Sequence, residues 1–213
     1  MKITAVIPAY NEEPTIGEIV RTVRQVPAVS DVLVVSDGST DGTSRTAGEA
    51  GARVLNLTTN IGKGGAMMAG VKNTDADIVL FLDADLIGLR PEHVLNLLEP
   101  VIKGRAEMTI GVFESGRLAT DLAQFIAPYL SGQRAVCRSL LEKLPDLDTT
   151  RFGVEVALTK FVKTEGIPVE EVELKEMSHV MKEEKLGLVK GVMARMKMYW
   201  EIAKYVGRDK ISP

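Results

Sequence analysis

The chain has 213 residues, 45% of them hydrophobic, with 26 Lys and Arg against 29 Asp and Glu and a formal net charge of −3. That length suits one well-packed domain, and the slightly acidic balance argues against a general nucleic-acid binder, which presents a strong basic excess. A single cysteine, Cys137, excludes an intrachain disulfide; no apolar run approaches the roughly 18 residues of a membrane span, and no signal sequence stands at the N-terminus, so cytoplasmic residence is the default expectation.

In chain order, hydrophobic periodicity predicts strands over 3–8, 31–36, 53–57, 78–82 and 107–113, and helices over 15–25, 43–50, 63–72 and 91–103. Short strands alternating with helices imply right-handed crossovers and a mainly parallel sheet. After residue 113 the rhythm changes. A loop is expected at 114–117, a helix-rich stretch over 120–144 broken near Pro128 and Gly132, an irregular stretch over 147–153, a helix over 154–164, and an alternating strand over 169–175 suited to antiparallel pairing at an edge. Cys137 is expected as a half-buried helical thiol, and His93 as surface decoration. Val189, Val192, Met193, Met196, Tyr199, Trp200 and Ala203 recur at helical spacing, which makes 186–213 a basic amphipathic helix. Such a helix either packs back on its own domain or meets a membrane surface or a partner.

Four strand ends carry the chemistry. The run Asp77-Ile78-Val79-Leu80-Phe81-Leu82 breaks off into Asp83-Ala84-Asp85, two carboxylates one residue apart, costly to bury without a cation. The first strand ends in Pro8-Ala9-Tyr10-Asn11-Glu12, where Tyr10 offers a ring to a base or ribose and Glu12 can accept from hydroxyls. The second ends in Ser36-Asp37-Gly38-Ser39-Thr40-Asp41-Gly42; Asp37 is a candidate acceptor for ribose or base N–H, and Asp41 reads as a turn and helix cap. The third leads to Asn60-Ile61-Gly62-Lys63-Gly64-Gly65, in which glycines let the chain approach anions at a helix N-terminus and Lys63 meets phosphate charge.

These four motifs in order resemble those of glycosyltransferase family 2 and its relatives of GT-A fold, strongly over residues 1–115. One departure is Ser36, where many relatives carry Asp. The resemblance implies an α/β GT-A nucleotide-diphospho-sugar transferase fold: a mainly parallel twisted sheet flanked by helices, with a C-terminal amphipathic helix. It implies a single domain over 1–213, with a nucleotide-sugar-binding half (1–115), an acceptor-side half (116–185) and the helix (186–213). By the same resemblance Pro8, Ala9, Tyr10, Glu12, Asp37, Gly62, Lys63, Asp83 and Ala84 contact the nucleotide, and Asp85 ligates Mn²⁺ or Mg²⁺ while Asp83 faces the ribose or the metal.

In the second half Gly116-Arg117, Leu130-Ser131-Gly132-Gln133-Arg134, the helix bearing Glu155, and His179 are similar to the layout of glucosyl-3-phosphoglycerate synthases. That similarity implies a metal-dependent hexose transfer from a UDP-linked sugar to a small anionic acceptor. Arg117 would hold the acceptor, Ser131 and Gly132 would line the sugar pocket, Glu155 would contact sugar or acceptor hydroxyls, and His179 would complete the metal site. Polyprenyl-phosphate sugar synthases, with a lipid phosphate acceptor and peripheral contact at the inner membrane face, are the alternative. A non-catalytic nucleotide-sugar-binding subunit and a nucleotidyltransferase are the readings of other classes. A homodimer stays open, as does the choice between inversion, with Glu155 as base, and retention.

Overall fold

The computed structural model describes residues 1–113, 131–144 and 153–179. Strand β1 (Ile3–Ala9) occupies the interior of a seven-stranded sheet, because nearly all of its side chains are apolar and both of its faces are covered. It pairs in parallel with β2 (Asp31–Asp37) on one side and with β4 (Ile78–Phe81) on the other, and β2 pairs in parallel with β3 (Arg53–Leu57). With β6 (Met108–Phe113), β7 (Arg134–Cys137) and β8 (Val169–Leu174) the order across the sheet is β3-β2-β1-β4-β7-β6-β8. A separate two-stranded sheet joins β5 (Leu86–Ile87) and β9 (Ser178–His179).

The pleat sorts the core into two layers. Ile3, Ala5 and Ile7 of β1 face α1 (Glu13–Arg24), α2 (Thr43–Glu49) and α4 (Pro91–Ile102), meeting Ile16, Ile19, Val20, Ala47, Val94 and Leu97. Val6, Leu33 and Phe81 face the other way, against Ala66 and Met67 of α3 (Lys63–Lys72), Leu140 of α5 (Arg138–Glu142) and Leu158 of α6 (Gly153–Thr164). From β1 the chain steps outward to β2 and β3, then returns to place β4 on the other side of β1. The strand order therefore reverses at β1, and a crevice opens at the carboxyl ends of β1 and β4.

Three expectations for the second half are corrected. Part of the stretch expected to be helix-rich forms β7, which runs antiparallel to both β4 and β6 and fills the gap between them. Ala135 and Val136 are fully buried there, one in each core layer, so sheet pairing overrides a weak helical pattern. Cys137 accordingly ends a strand, partly buried, rather than riding on a helix. Strand β8 pairs with β6 in parallel, not antiparallel. The reason is α6, which starts near the crevice and carries the chain back to the opposite edge, so that β8 must climb in the direction of β6.

His93 is 3% exposed rather than on the surface. Its Nδ1 accepts the Arg90 N–H at 3.2 Å and closes the first turn of α4, and burial, with the Arg90 guanidinium adding to it, holds its pKa below the ordinary histidine value. Two compact units are distinguished, residues 1–178 and residues 179–213; only His179 of the second is among the described residues. The amphipathic stretch 186–213 lies outside them.

Candidate active site

The ends of β1 and β2 are laced together. The Asn11 N–H donates to the Ser39 hydroxyl at 3.2 Å, the Thr40 N–H donates to Asn11 Oδ1 at 2.9 Å, and the Glu12 N–H donates to the Thr43 hydroxyl at 2.8 Å. Asn11 takes a left-handed backbone at φ 55°, a conformation Asn tolerates, and the preceding side chain, Tyr10, is left 49% exposed on the rim. Asp41 stabilises the turn just before α2, whose N-cap position is Gly42, accepting from the Thr43 N–H at 3.0 Å and the Glu13 N–H at 3.2 Å.

Asp37 has a structural task that its sequence context did not reveal. It is 3% exposed, and its two carboxylate oxygens accept the N–H groups of Ile61 at 2.8 Å and Gly62 at 2.9 Å. Its neighbour Gly38 sits at φ +71°, and a Cβ there would fall 2.7 Å from the Asn60 nitrogen. The β2 end thereby grips the loop before α3. That grip fixes Gly62 as the residue preceding the helix and Lys63 as its first residue.

Lys63 then joins the two halves. Its Nζ lies 2.5 Å from Asp83 Oδ1 and 2.8 Å from Glu155 Oε1, so one ammonium bridges the end of β4 and the first turn of α6. Desolvation alone would lower the Lys63 pKa, but the Asp83 and Glu155 carboxylates outweigh it and hold the ammonium well above the usual lysine range. Asp83 is 14% exposed in its side chain and Glu155 is 9%, so the pair of carboxylates is shielded where it meets this cation.

Segment 131–134 wraps around that cluster. Gln133 Nε2 donates to Asp83 Oδ2 at 2.9 Å, and a Cβ on Gly132 would stand 2.4 Å from Asp83 Oδ1 and 2.6 Å from Lys63 Nζ. The Ser131 hydroxyl donates to the Gly111 carbonyl at 2.5 Å and so ties the turn to β6. Arg134 is fully buried: its Nε donates to the Ser131 carbonyl at 2.8 Å and its guanidinium to the Thr159 hydroxyl at 2.8 Å, while that hydroxyl donates to the Glu155 carbonyl. Burial pushes the Arg134 pKa down to about 10, against the opposing pull of Glu155 and Asp83.

The structure thus brings together Lys63, Asp83, Gly132 and Glu155, with Asp37 and Gly62 directly behind Lys63. Gln133, Arg134 and Thr159 were not expected as site residues. Gln133 and Arg134 fall within a motif already visible as Ser131-Gly132-Gln133-Arg134, but only the tertiary fold shows their side chains to be buried partners of the site. Arg117 lies outside the described residues, as does the side chain of His179. Asp83 and Asp85 supply hard oxygen donors from one strand end, a donor set that suits Mg²⁺ or Mn²⁺ completed by phosphate and water. Among the described residues no group of three or more His, Cys, Asp or Glu could hold a metal by itself, and no helix is long and apolar enough to cross a membrane.

A mainly parallel sheet whose switch-point crevice is edged by a Tyr-bearing turn, an acidic strand end and a Lys-led helix is the arrangement of the GT-A fold. Residues 4–154 match the family described as Glycosyl transferase family 2, and the chain belongs to that family. It is 30% identical over 194 residues to the glucosyl-3-phosphoglycerate synthase of Mycobacterium tuberculosis (strain CDC 1551 / Oshkosh), an alignment covering 73% of this chain and 59% of the relative. The chain therefore spans less than two thirds of the length of that relative. The crystal structure of the M. tuberculosis synthase with Mn²⁺, uridine diphosphate and glucosyl-3-phosphoglycerate superposes with a TM-score of 0.73 at 30% identity, covering 84% of this chain and 72% of that one. The 4,4′-diaponeurosporenoate glycosyltransferase of Staphylococcus aureus (strain USA300) is 37% identical over 101 residues, 45% of this chain and 27% of the relative.

Proposed function

We propose that this chain transfers a hexose from a UDP-linked sugar to a small anionic acceptor of the phosphoglycerate kind, in a reaction that depends on Mn²⁺ or Mg²⁺. The observation that carries the reading is the Lys63 bridge, which joins the Asp83 end of β4 to Glu155 on the acceptor-side helix. The likeness to synthases solved with uridine diphosphate, Mn²⁺ and phosphoglycerate supports it. In this reading the Tyr10 ring packs on the base or ribose, Glu12 and Asp37 accept from ribose hydroxyls or a base N–H, and Pro8, Ala9, Gly62 and Ala84 line the nucleotide with backbone. Asp37 already accepts two amide N–H groups, and its remaining lone pairs suffice for one more donor.

In the transfer, an acceptor oxygen forms a bond to the anomeric carbon as the bond from that carbon to the diphosphate oxygen breaks, leaving the electron pair on the diphosphate. A Mn²⁺ or Mg²⁺ ion held by Asp85, with Asp83 and His179 as further ligands, would supply Lewis-acid neutralisation of that charge. The Lys63 ammonium places a fixed positive charge beside Asp83 in the same crevice. Gly132, in the turn that Ser131 ties down, lines the sugar pocket with backbone, its missing side chain letting the turn pack directly on the Asp83–Lys63 pair, and Arg117 holds the acceptor anion. If the configuration inverts, Glu155 takes the acceptor proton; if it is retained, Glu155 orients a hydroxyl and the proton leaves with the diphosphate.

Turnover of UDP-glucose with 3-phosphoglycerate, with and without Mn²⁺, tests the reading. Metal-dependent release of UDP with formation of a glucosylated product supports it. Turnover with a polyprenyl phosphate instead would select the lipid-acceptor version, in which residues 186–213 meet the membrane and the protein co-sediments with anionic vesicles. Nucleotide binding without any turnover would select the non-catalytic subunit.

A further inference from the structure

Gln133 is a fully buried amide with no part in the chemistry derived above. Its backbone is fixed by the sheet, since its carbonyl accepts the Gly111 N–H at 2.8 Å and its own N–H donates to the Ser131 hydroxyl at 3.2 Å. Its Nε2 donates to Asp83 Oδ2 at 2.9 Å, while its Oε1 lies 3.1 Å from the Ser131 hydroxyl. An ionised carboxylate only accepts, so Asp83 dictates which way the Gln133 amide faces, and Gln133 in turn dictates the plane of the Asp83 carboxylate. Asp83 presents its other oxygen to Lys63 at 2.5 Å. The preceding residue, Gly132, comes so close that a Cβ would overlap both Asp83 and Lys63. Two independent features of one turn, a directed donor and a missing side chain, are therefore fitted to the same ion pair.

We propose that Gln133 is a positioning residue of the donor site: it orients Asp83, and through Asp83 the Lys63 ammonium, before a nucleotide-sugar arrives. This inference rests on the donor-site reading given above. A donor anchored by its backbone to β6 at the start of β7 holds the carboxylate at little cost of reorganisation when the diphosphate binds, which is the condition for effective electrostatic stabilisation.

The test is a double-mutant cycle read by calorimetric titration of UDP with Mn²⁺, together with kcat and KM for UDP-glucose and 3-phosphoglycerate. Gln133→Leu is expected to weaken UDP by about tenfold, equivalent to ~1.4 kcal/mol, and to lower kcat, with the KM for 3-phosphoglycerate changed by less than about twofold. In an Asp83→Ala background the same substitution is expected to change UDP affinity by less than about twofold, because the group it acts through is gone. Gln133→Asn, which stays polar but draws the amide back from Asp83, should reproduce the loss and serves if Gln133→Leu does not fold. Losses that multiply in the double variant, or Gln133 variants that bind UDP like the parent, overturn the proposal while leaving the donor site standing. A parent protein that binds no nucleotide overturns the donor-site reading and this inference with it.

Discussion

A single side chain, Lys63, shows how residues here hold more than one task. The sequence context presents it as a phosphate contact at a helix start, whereas its ammonium also bridges Asp83 and Glu155 across two elements. The glycines around it divide by what a methyl group would strike. At Gly38 the obstacle is the Asn60 backbone and the φ is +71°, so Gly38→Ala is expected to lose about 2–4 kcal/mol in denaturant unfolding and to free the loop before α3. At Gly132 the obstacles are the ends of two side chains that can swing aside. Gly132→Ala should therefore melt within a few degrees of the parent yet lose activity, because Asp83 and Lys63 are displaced. Arg134 is the converse case. Arg134→Met removes the buried donor to the Ser131 carbonyl and leaves the Thr159 hydroxyl with only the Glu155 carbonyl, and a loss of about 2–4 kcal/mol is expected in the same unfolding measurement.

Among the elements, α2 is preceded by a turn that Asp41 holds. Desolvation, the largest single effect, would raise the Asp41 pKa, but the hydrogen bonds from the Thr43 hydroxyl and amide and from the Glu13 amide together outweigh it and hold the carboxyl below its ordinary value. A folded-state pKa below the unfolded one means that this contribution is present above the unfolded value, near 3.9, and is lost as the pH falls through the folded one. Melting curves from pH 6 down to pH 3 should accordingly show a shallower acid decline for Asp41→Asn than for the parent, with a lower melting temperature at pH 6. Strand β7 illustrates the opposite dependence, on distant rather than local partners. Its four residues have no pattern of their own that demands a strand, and they become one because β4 and β6 leave an unpaired slot between them. The consequence is functional, since that slot delivers Gln133 and Arg134 to the site.

For the molecule as a whole, the reversal of strand order at β1 places the ends of β1 and β4 beside one crevice, with the β2 end braced behind them through Asp37. A donor that bridges these elements stabilises the fold by mass action. At 100 times its dissociation constant the gain is about 2.7 kcal/mol, a rise of roughly 5–10 °C in melting temperature for a domain of this size. Scans with UDP, GDP and their sugar conjugates are expected to show that rise with a uridine ligand and Mn²⁺, and to show it abolished in Asp85→Ala. A rise that survives Asp85→Ala would remove that residue from the metal site.

Of the ten elements from β1 through β6, all but the two-residue β5 were legible in the sequence to within about two residues at each end. There the signals are local: apolar runs long enough to be strands covered on both faces, Pro91 in the first turn of α4, and glycine and aspartate at each strand end. The same locality made the motifs Pro8–Glu12, Asp37, Lys63 and Asp83–Asp85 visible as candidate donor-site chemistry. What sequence could not settle was any feature formed by partners far apart in the chain. The antiparallel β7, the parallel setting of β8, the burial of His93 and the Asp83–Gln133 and Lys63–Glu155 pairings all depend on which surfaces are left uncovered once the first half has folded. Composition and periodicity fix what a segment prefers to be, because those preferences are set within a few residues. The partner that satisfies a buried carboxylate is chosen only by the fold, because its energy depends on distance and exclusion of water in three dimensions.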